Sequence, residues 1–449
     1  RGKFMDPTGD LLLKHWPLLQ KDFTVAEGRA VSVAGNRIAG IFAPGEPLPA
    51  AAEVIDAGGK LLMPGLVDGH THCCQQLLRG SVADEYPMIW TRILVPFESN
   101  LQPEDSYVSG QLACLEMIKY GTTSFADSGG VFMHRVADAA MESGMRAAIA
   151  KSTMDMGNAI TGAMKETREE AVARTEELYR AYNGSGEARI RIFFAIRQVM
   201  TCTPELIGMV RDRAAALHTG IHAHLCEHRD EVSFCLQHYH MRPAEFLDSL
   251  GVLGPNLLTA HNVLLSEHDI RIMAERGVKV IHCPRCNLSN HGFPKTPQLL
   301  EAGASVGLGT DGAAPNNADL FEEMKALRYG SQAFWGLASF DPVVMTCKML
   351  LRMATQGGAN ALGRGDELGT IEAGKLADMI LVDIGQPHVT PTQNLLNTLV
   401  CAAGGRDVTD SIINGKVVMR NRQVLTLDEE KIMADAKQHM REILSRIRG

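Results

Sequence analysis

Four short motifs, spaced along the chain in a fixed order, carry the side chains that could do chemistry: Gly69-His70-Thr71-His72, His224-Leu225-Cys226-Glu227, Ala260-His261-Asn262 and Gly309-Thr310-Asp311-Gly312. Each follows a short apolar run that reads as a buried strand. His70 and His72 alternate along one strand, so both imidazoles point to the same side and can share an ion. His224 adds a third imidazole and Asp311 a carboxylate, which makes His70, His72, His224 and Asp311 a candidate divalent-metal set. Glu227, His261 and water are then left for chemistry, with Glu227 read as the acid/base. A buried aspartate beside a divalent cation stays ionised, so Asp311 can bind the metal and take a proton from its water.

Each assignment has a plainer competitor. A chain with 16 histidines can produce an HxH by chance, and Asp311-Gly312 alone would read as a turn or a helix cap. What strengthens both is the strand before each motif and the convergence of the set. His222 points inward with His224 and is read as a packed or supporting histidine, with ligation as the alternative. His228, His238 and His240 fall on a following helical stretch and are read as solvated or structural.

These side chains need strands to deliver them. From about Leu61 the sequence alternates short apolar runs, at 66–67, 122–126, 146–149, 190–194, 221–223, 257–259, 278–281 and 306–308, with longer helical patterns. In the helix before the second strand, Pro103, Glu104 and Asp105 open it, Val108, Leu112, Leu115 and Ile118 share a face, and Gly121 closes it. Eight such units predict an α/β fold, a (β/α)8 TIM barrel whose active site lies at the carboxyl ends of its strands. The flanks differ. Segments at 30–41, 378–382 and 411–418 read as hairpin strands, predicting a small β-sandwich domain built from both ends of the chain. The expected division is 1–60 and 368–449 for that domain and 61–367 for the barrel, with an amphipathic helix from about Asp428 on the outside.

Composition narrows the function classes. The chain has 449 residues, 45% hydrophobic and 21% charged, with a net charge of −8. That balance offers no footprint for nucleic acid or an anionic membrane. No apolar stretch reaches the roughly 20 residues that cross a bilayer, and the opening Arg1-Gly2-Lys3 runs into polar residues, so a cytoplasmic protein is expected. Ten cysteines, including adjacent Cys73 and Cys74, do not form a secreted disulfide pattern. Cys283-Pro284-Arg285-Cys286 lacks the second pair that a zinc ribbon needs and is read as reduced.

These motifs resemble the amidohydrolase superfamily, in its cytosolic deaminase branch, and the match extends to Ile371-Glu372-Ala373-Gly374-Lys375-Leu376-Ala377-Asp378. The resemblance implies one divalent ion per subunit, zinc with iron as the alternative, held by His70, His72, His224 and Asp311. It implies that Glu227 shuttles protons to a ring nitrogen and that His261 orients the attacked centre. Phe193-Phe194-Ala195-Ile196 stands where a binuclear relative would carry a lysine, which favours one metal over two. The implied reaction is attack of activated water on an amine-bearing ring carbon with release of ammonia, and relatives imply a homo-oligomer.

Within the branch the chain most resembles the 5'-methylthioadenosine/S-adenosylhomocysteine deaminases, through Gln75-Gln76-Leu77-Leu78-Arg79-Gly80 and Val95-Pro96-Phe97-Glu98. Glu98 matches the glutamate that those enzymes place on ribose hydroxyls, a geometry that suits a carboxylate; the bland reading is an exposed or capping acid. Departures are Arg197-Gln198 where a histidine is usual, Pro284-Arg285-Cys286-Asn287, and Pro315. Arg197 and Gln198 would suit a ring carbonyl, unless Arg197 is a rim salt bridge. The expectation is therefore a deaminase of a small heterocycle, an adenosine-like nucleoside first and a free guanine, oxopurine, pterin or aminotriazine ring as the alternative. A catalytically silent scaffold is the reading from another class.

Overall fold

The computed structural model describes residues 9–56, 58–157, 160 and 164–448; the opening Arg1-Gly2-Lys3 lies outside them. Every predicted barrel strand is present. In spatial order the strands are Ser305–Leu308, Lys279–His282, Leu257–His261, Ile221–Leu225, Ile190–Ile196, Arg146–Ala150, Thr122–Asp127 and Leu66–His72, followed by Asp311–Gly312. All neighbours run parallel, and the sheet curls into a TIM-barrel-like α/β fold with helices outside.

Nine strand segments stand where eight were expected, because the last is broken. Ser305–Leu308 pairs with Lys279–His282, whereas Asp311–Gly312 pairs with Thr71 and His72. The break falls at Gly309 and Thr310. A Cβ at Gly309 would lie 2.8 Å from both the amide nitrogen and the carbonyl oxygen of His70, so only glycine lets the two backbones meet there. Asp68 secures the junction: its Oδ1 accepts the amides of His70 at 3.2 Å and Thr310 at 3.1 Å, and the Thr310 hydroxyl donates to Oδ2.

The strands are apolar on both faces, for two different reasons. In Ile190–Ile196, Ile192, Phe194 and Ile196 pack outward in the layer between sheet and helices, while Phe193 and Ala195 join Val67, Ala126, Ala148, Leu258 and Ile281 inside the curl. Period-two alternation is therefore hidden in a continuous apolar run.

The expected β-sandwich is corrected to one mixed sheet of nine strands. Lys60–Pro64 is the reason: it pairs parallel with Gly9–Leu19 through Leu18 and Leu62, and antiparallel with Met379–Asp383, so hydrogen bonding runs unbroken through both chain ends. The sheet therefore extends beyond residue 60 to Pro64, whose chain passes through Gly65 into Leu66–His72. Hairpins Val25–Ala34/Arg37–Phe42 and Val408–Ile413/Lys416–Arg420 fall where predicted. Arg146, on the third barrel strand, donates from Nε and Nη2 to Asp378 at 2.9 and 3.0 Å, and both side chains are almost fully buried. The helix Glu429–Arg448 seats Ile432, Ala436 and Ile443 on the protein, with Lys119 and Asp105 of Pro103–Lys119 meeting Glu429 and His439. No helix among the described residues is long and apolar enough to cross a membrane.

Candidate metal centre and acid/base site

The strand ends bring the four motifs to one place. Ligand atoms of His70, His72 and His224 lie within 4.8 Å of one another, as do those of His70, His261 and Asp311. Nε2 of His72 and Nε2 of His224 are 3.2 Å apart, and Asp311 Oδ1 is 3.3 Å from His70 Nε2 and 3.5 Å from His72 Nε2. His261 and Asp311 stand in left-handed backbone conformation, with φ of 76° and 60°, and Cys226 beside Glu227 does the same at 52°. Non-glycine residues reach that region at a cost, and it concentrates at sites where side-chain aim matters.

Burial, then Arg197 and the neighbouring imidazoles, hold His72 and His224 well below the usual histidine pKa, so these rings are neutral, the form that binds a cation. Burial would raise Asp311, but the close approach of His70 Nε2, with the His261 and His72 rings beside it, holds it well below the usual carboxylate range. The supporting contacts choose which nitrogen faces inward. His222 Nε2 lies 2.8 Å from His70 Nδ1, and the Gly129 carbonyl lies 3.1 Å from His72 Nδ1. His222 thus stands behind His70, leaving Nε2 of His70 buried and without a hydrogen-bond partner. An orphaned imidazole nitrogen facing a carboxylate and two neutral imidazoles is a donor set that fits a divalent cation.

His261 is held differently. The Asn287 amide donates to His261 Nδ1 at 3.0 Å while its oxygen accepts from the Cys283 amide at 3.4 Å. A neutral imidazole that accepts at Nδ1 carries its proton on Nε2, so His261 presents a donor to the cluster rather than a lone pair.

Glu227 lies at the edge of the cluster. Its Oε2 accepts from Gln198 Nε2 at 2.8 Å, and its Oε1 is 3.7 Å from His261 Nε2 and 3.3 Å from His291 Nε2. Burial would raise it, but His261 and His291 outweigh burial and hold it below the usual carboxylate range. Its backbone is fixed by Glu231, whose two oxygens accept the amides of Cys226 and Glu227 at 3.0 and 2.9 Å.

The three side chains expected at the substrate are buried. Glu98 is wholly enclosed rather than exposed, with Oε1 accepting from Gln75 Nε2 at 2.6 Å and Oε2 without a partner. Arg197 has no carboxylate within ion-pair distance among the described residues, which sets aside the rim salt bridge; its Nη1 lies 3.4 Å from Ser152 Oγ. Gln198 is engaged by Glu227. A cavity of about 600 Å³ opens beside Ser152, lined in part by Val131, Phe132, Met154 and Met164. Cys283 and Cys286 are free and buried, and burial with the nearby Asp311 charge pushes both thiols well above their usual pKa.

Sequence patterns did not single out Asn287, Glu231 or His291 as site residues. Glu231 follows Glu227 by four residues, and that spacing was the available signal. Asn287 and His291 sit on and just after the short helix Pro284–Asn290, where no periodicity marks them.

The sequence pattern of the amidohydrolase family matches residues 61–418. A 5-methylthioadenosine/S-adenosylhomocysteine deaminase of Pelotomaculum thermopropionicum is 42% identical over 93% of this chain and 94% of its own. A 5'-deoxyadenosine deaminase of Methanosarcina mazei is 37% identical over 88% and 90%. Among solved structures, a zinc-bound adenosine deaminase from Xanthomonas campestris superposes with a TM-score of 0.92 at 31% identity, over 97% of this chain and 99% of that one. With the family pattern spanning most of the curled sheet and full-length relatives above 30% identity, the chain belongs to the amidohydrolase family.

Proposed function

We propose that this protein is a metal-dependent hydrolytic deaminase of an adenosine-like nucleoside. The observation that carries the reading is the orphaned Nε2 of His70, facing Asp311 and two neutral imidazoles, with Glu227 at the edge of the same cluster. Similarity to nucleoside deaminases over nearly the whole chain supports the substrate class. His70, His72, His224 and Asp311 would hold one divalent ion, zinc in this reading and iron as the alternative. Such an ion supplies Lewis acidity, lowering the pKa of water towards neutrality.

The chain's own residues do the rest. Asp311 takes the proton of the attacking water. Glu227, held by Gln198, delivers a proton to the ring nitrogen beside the amine-bearing carbon, making that carbon electrophilic. His261 donates from Nε2 to the developing charge at the attacked centre. Glu98, with one oxygen free, accepts from a ribose diol.

Ammonia release from purified, metal-analysed protein tests this, using 5'-methylthioadenosine, S-adenosylhomocysteine, 5'-deoxyadenosine, adenosine, guanine, isoxanthopterin and aminotriazines. Preference for adenosines supports the proposal; silence with metal bound ends it in favour of a scaffold. A second reading, a free oxo-heterocycle, is favoured by Arg197, a buried cation without a carboxylate within ion-pair distance among the described residues. Arg197→Ala separates the two, because a large loss of kcat/KM on an oxo-ring with none on adenosines sinks the nucleoside reading. The reading also includes a cytoplasmic homo-oligomer. Exposed Phe334, Leu337, Phe340 and Val343 in one segment would suit burial against a second copy, which solution sizing of Phe340→Glu tests.

A further inference from the structure

Glu227 touches one histidine on its buried side and another on its solvent side. On the inner side stands His261, fully buried; on the outer side, at 3.3 Å from the same Oε1, stands His291, whose side chain is 20% exposed. Beyond His291 lies His228, 23% exposed, its ring centroid 5.8 Å away and its Nδ1 3.9 Å from the exposed Asp230. Exposure thus falls stepwise from His228 and His291, through Glu227, to His261, and each member of the row can carry a proton. A histidine placed only to neutralise Glu227 would not need a titratable neighbour leading to solvent.

We propose that His291 is a proton relay between solvent and Glu227. The step rests on the reading of Glu227 as the acid/base, and it balances without any co-reactant but solvent. Hydrolysis of the amine-bearing carbon by one water gives the oxo product and ammonia, and ammonia takes one further proton to leave as ammonium. That proton passes from His291 Nε2 to Glu227 Oε1, and from Glu227 to the departing amine. His291 then takes a replacement from solvent. It touches no reacting atom and acts only through Glu227.

The surroundings favour the protonated ring. Burial disfavours the imidazolium of His291, but its hydrogen bond to Glu227, the charge of Glu227 and that of Asp311 beyond it raise the pKa above the usual histidine value. The opposing groups are His261 across Glu227 and His228 on the solvent side.

The test uses the metal-loaded protein with its best substrate from the ammonia-release series. His291→Gln keeps a donor for Glu227 but cannot carry a proton, and His291→Ala removes the ring. Both should lower kcat by about tenfold or more, within the roughly 10²–10⁴-fold range of direct acid–base transfer, while KM stays within about twofold. Free imidazole in the buffer should restore activity to His291→Ala in a concentration-dependent way and leave a Glu227→Gln control unrestored. The limb of the kcat–pH profile that His291 imposes on wild type should be absent in His291→Gln. An unchanged kcat and pH profile in His291→Gln, or kcat loss in His291→Ala that imidazole does not restore, overturns the relay. If Glu227→Gln is itself fully active, the reading of Glu227 has failed instead, and wild-type inactivity on every substrate would count against the deaminase reading alone.

Discussion

Asp378→Asn should destabilise the protein by about 4 kcal/mol without slowing its chemistry. Asp378 accepts both Arg146 nitrogens and, at 2.8 Å, the Asn414 amide, while Arg146 Nη2 also donates to Asn414 Oδ1 at 3.0 Å. The Arg146 and Asp378 side chains are 1% and 2% exposed, so water cannot take over when the charge is removed. Unit charges about 4 Å apart at an effective dielectric near 20 attract by about 4 kcal/mol, and removing one partner of a buried pair typically costs about 3–5 kcal/mol. The two figures describe one loss and are not summed. Urea denaturation in 0.1 and 1 M NaCl reads it, since salt hardly screens a buried pair. Replacing both residues with apolar ones, Arg146→Met with Asp378→Leu, should recover most of the loss. Arg146 opens its strand, at the end opposite the imidazole cluster, so kcat per folded molecule should match wild type. A loss under about 1 kcal/mol, or one abolished by salt, would refute the reasoning.

Glu227→Gln should lower kcat by roughly 10²–10⁴-fold, about 3–5 kcal/mol of barrier, with metal content unchanged by elemental analysis; loss of metal instead would assign Glu227 to the ligands. Chelation should abolish activity and lower the thermal midpoint. Re-addition of zinc at roughly 1,000 times Kd should return about 4 kcal/mol, and a chelated protein with unchanged midpoint would contradict a centre built across three strand ends. Burial raises Glu231 to about 8 against the two amides that favour its ionised form, with the Glu227 charge adding to the rise. Its folded pKa exceeds the unfolded value, so its contribution to stability is full below about pH 4.5 and is lost as pH climbs through 8. Thermal midpoints from pH 5 to 9 should fall through this window, and Glu231→Gln should flatten the fall.

Sequence patterns located the strands well because buried parallel strands are short, apolar and bounded by turns; all eight runs overlap observed strands, with Val278 alone falling outside its strand. They did worse on Gly9–Leu19, where Lys14, His15 and Pro17 interrupt the apolar pattern. A left-handed residue at His15 and register shifts between Leu13, Trp16 and Leu18 accompany that interruption. The count of eight missed the break at Gly309, since a close approach to His70 is a property of two distant segments. The strand-end motifs of the site were legible for the same reason as the strands. Asn287 and His291 were not, because nothing local distinguishes a loop histidine in solvent from one aimed at a glutamate that lies far earlier in the chain. Arg197 was noticed, but whether it met a carboxylate depended on packing that no spacing encodes.

The strand Lys60–Pro64 has a consequence for how the chain is made. It leads directly into the strand bearing His70 and His72, yet its antiparallel partner, Met379–Asp383, lies near the far end of the sequence. During synthesis that edge stays open until nearly all of the curled sheet has left the ribosome, and pairings of such long separation form slowly. The first two imidazoles of the centre are therefore anchored among the last. An ion meeting the nascent chain early would find histidines without a rigid frame, so faithful loading belongs to the finished protein.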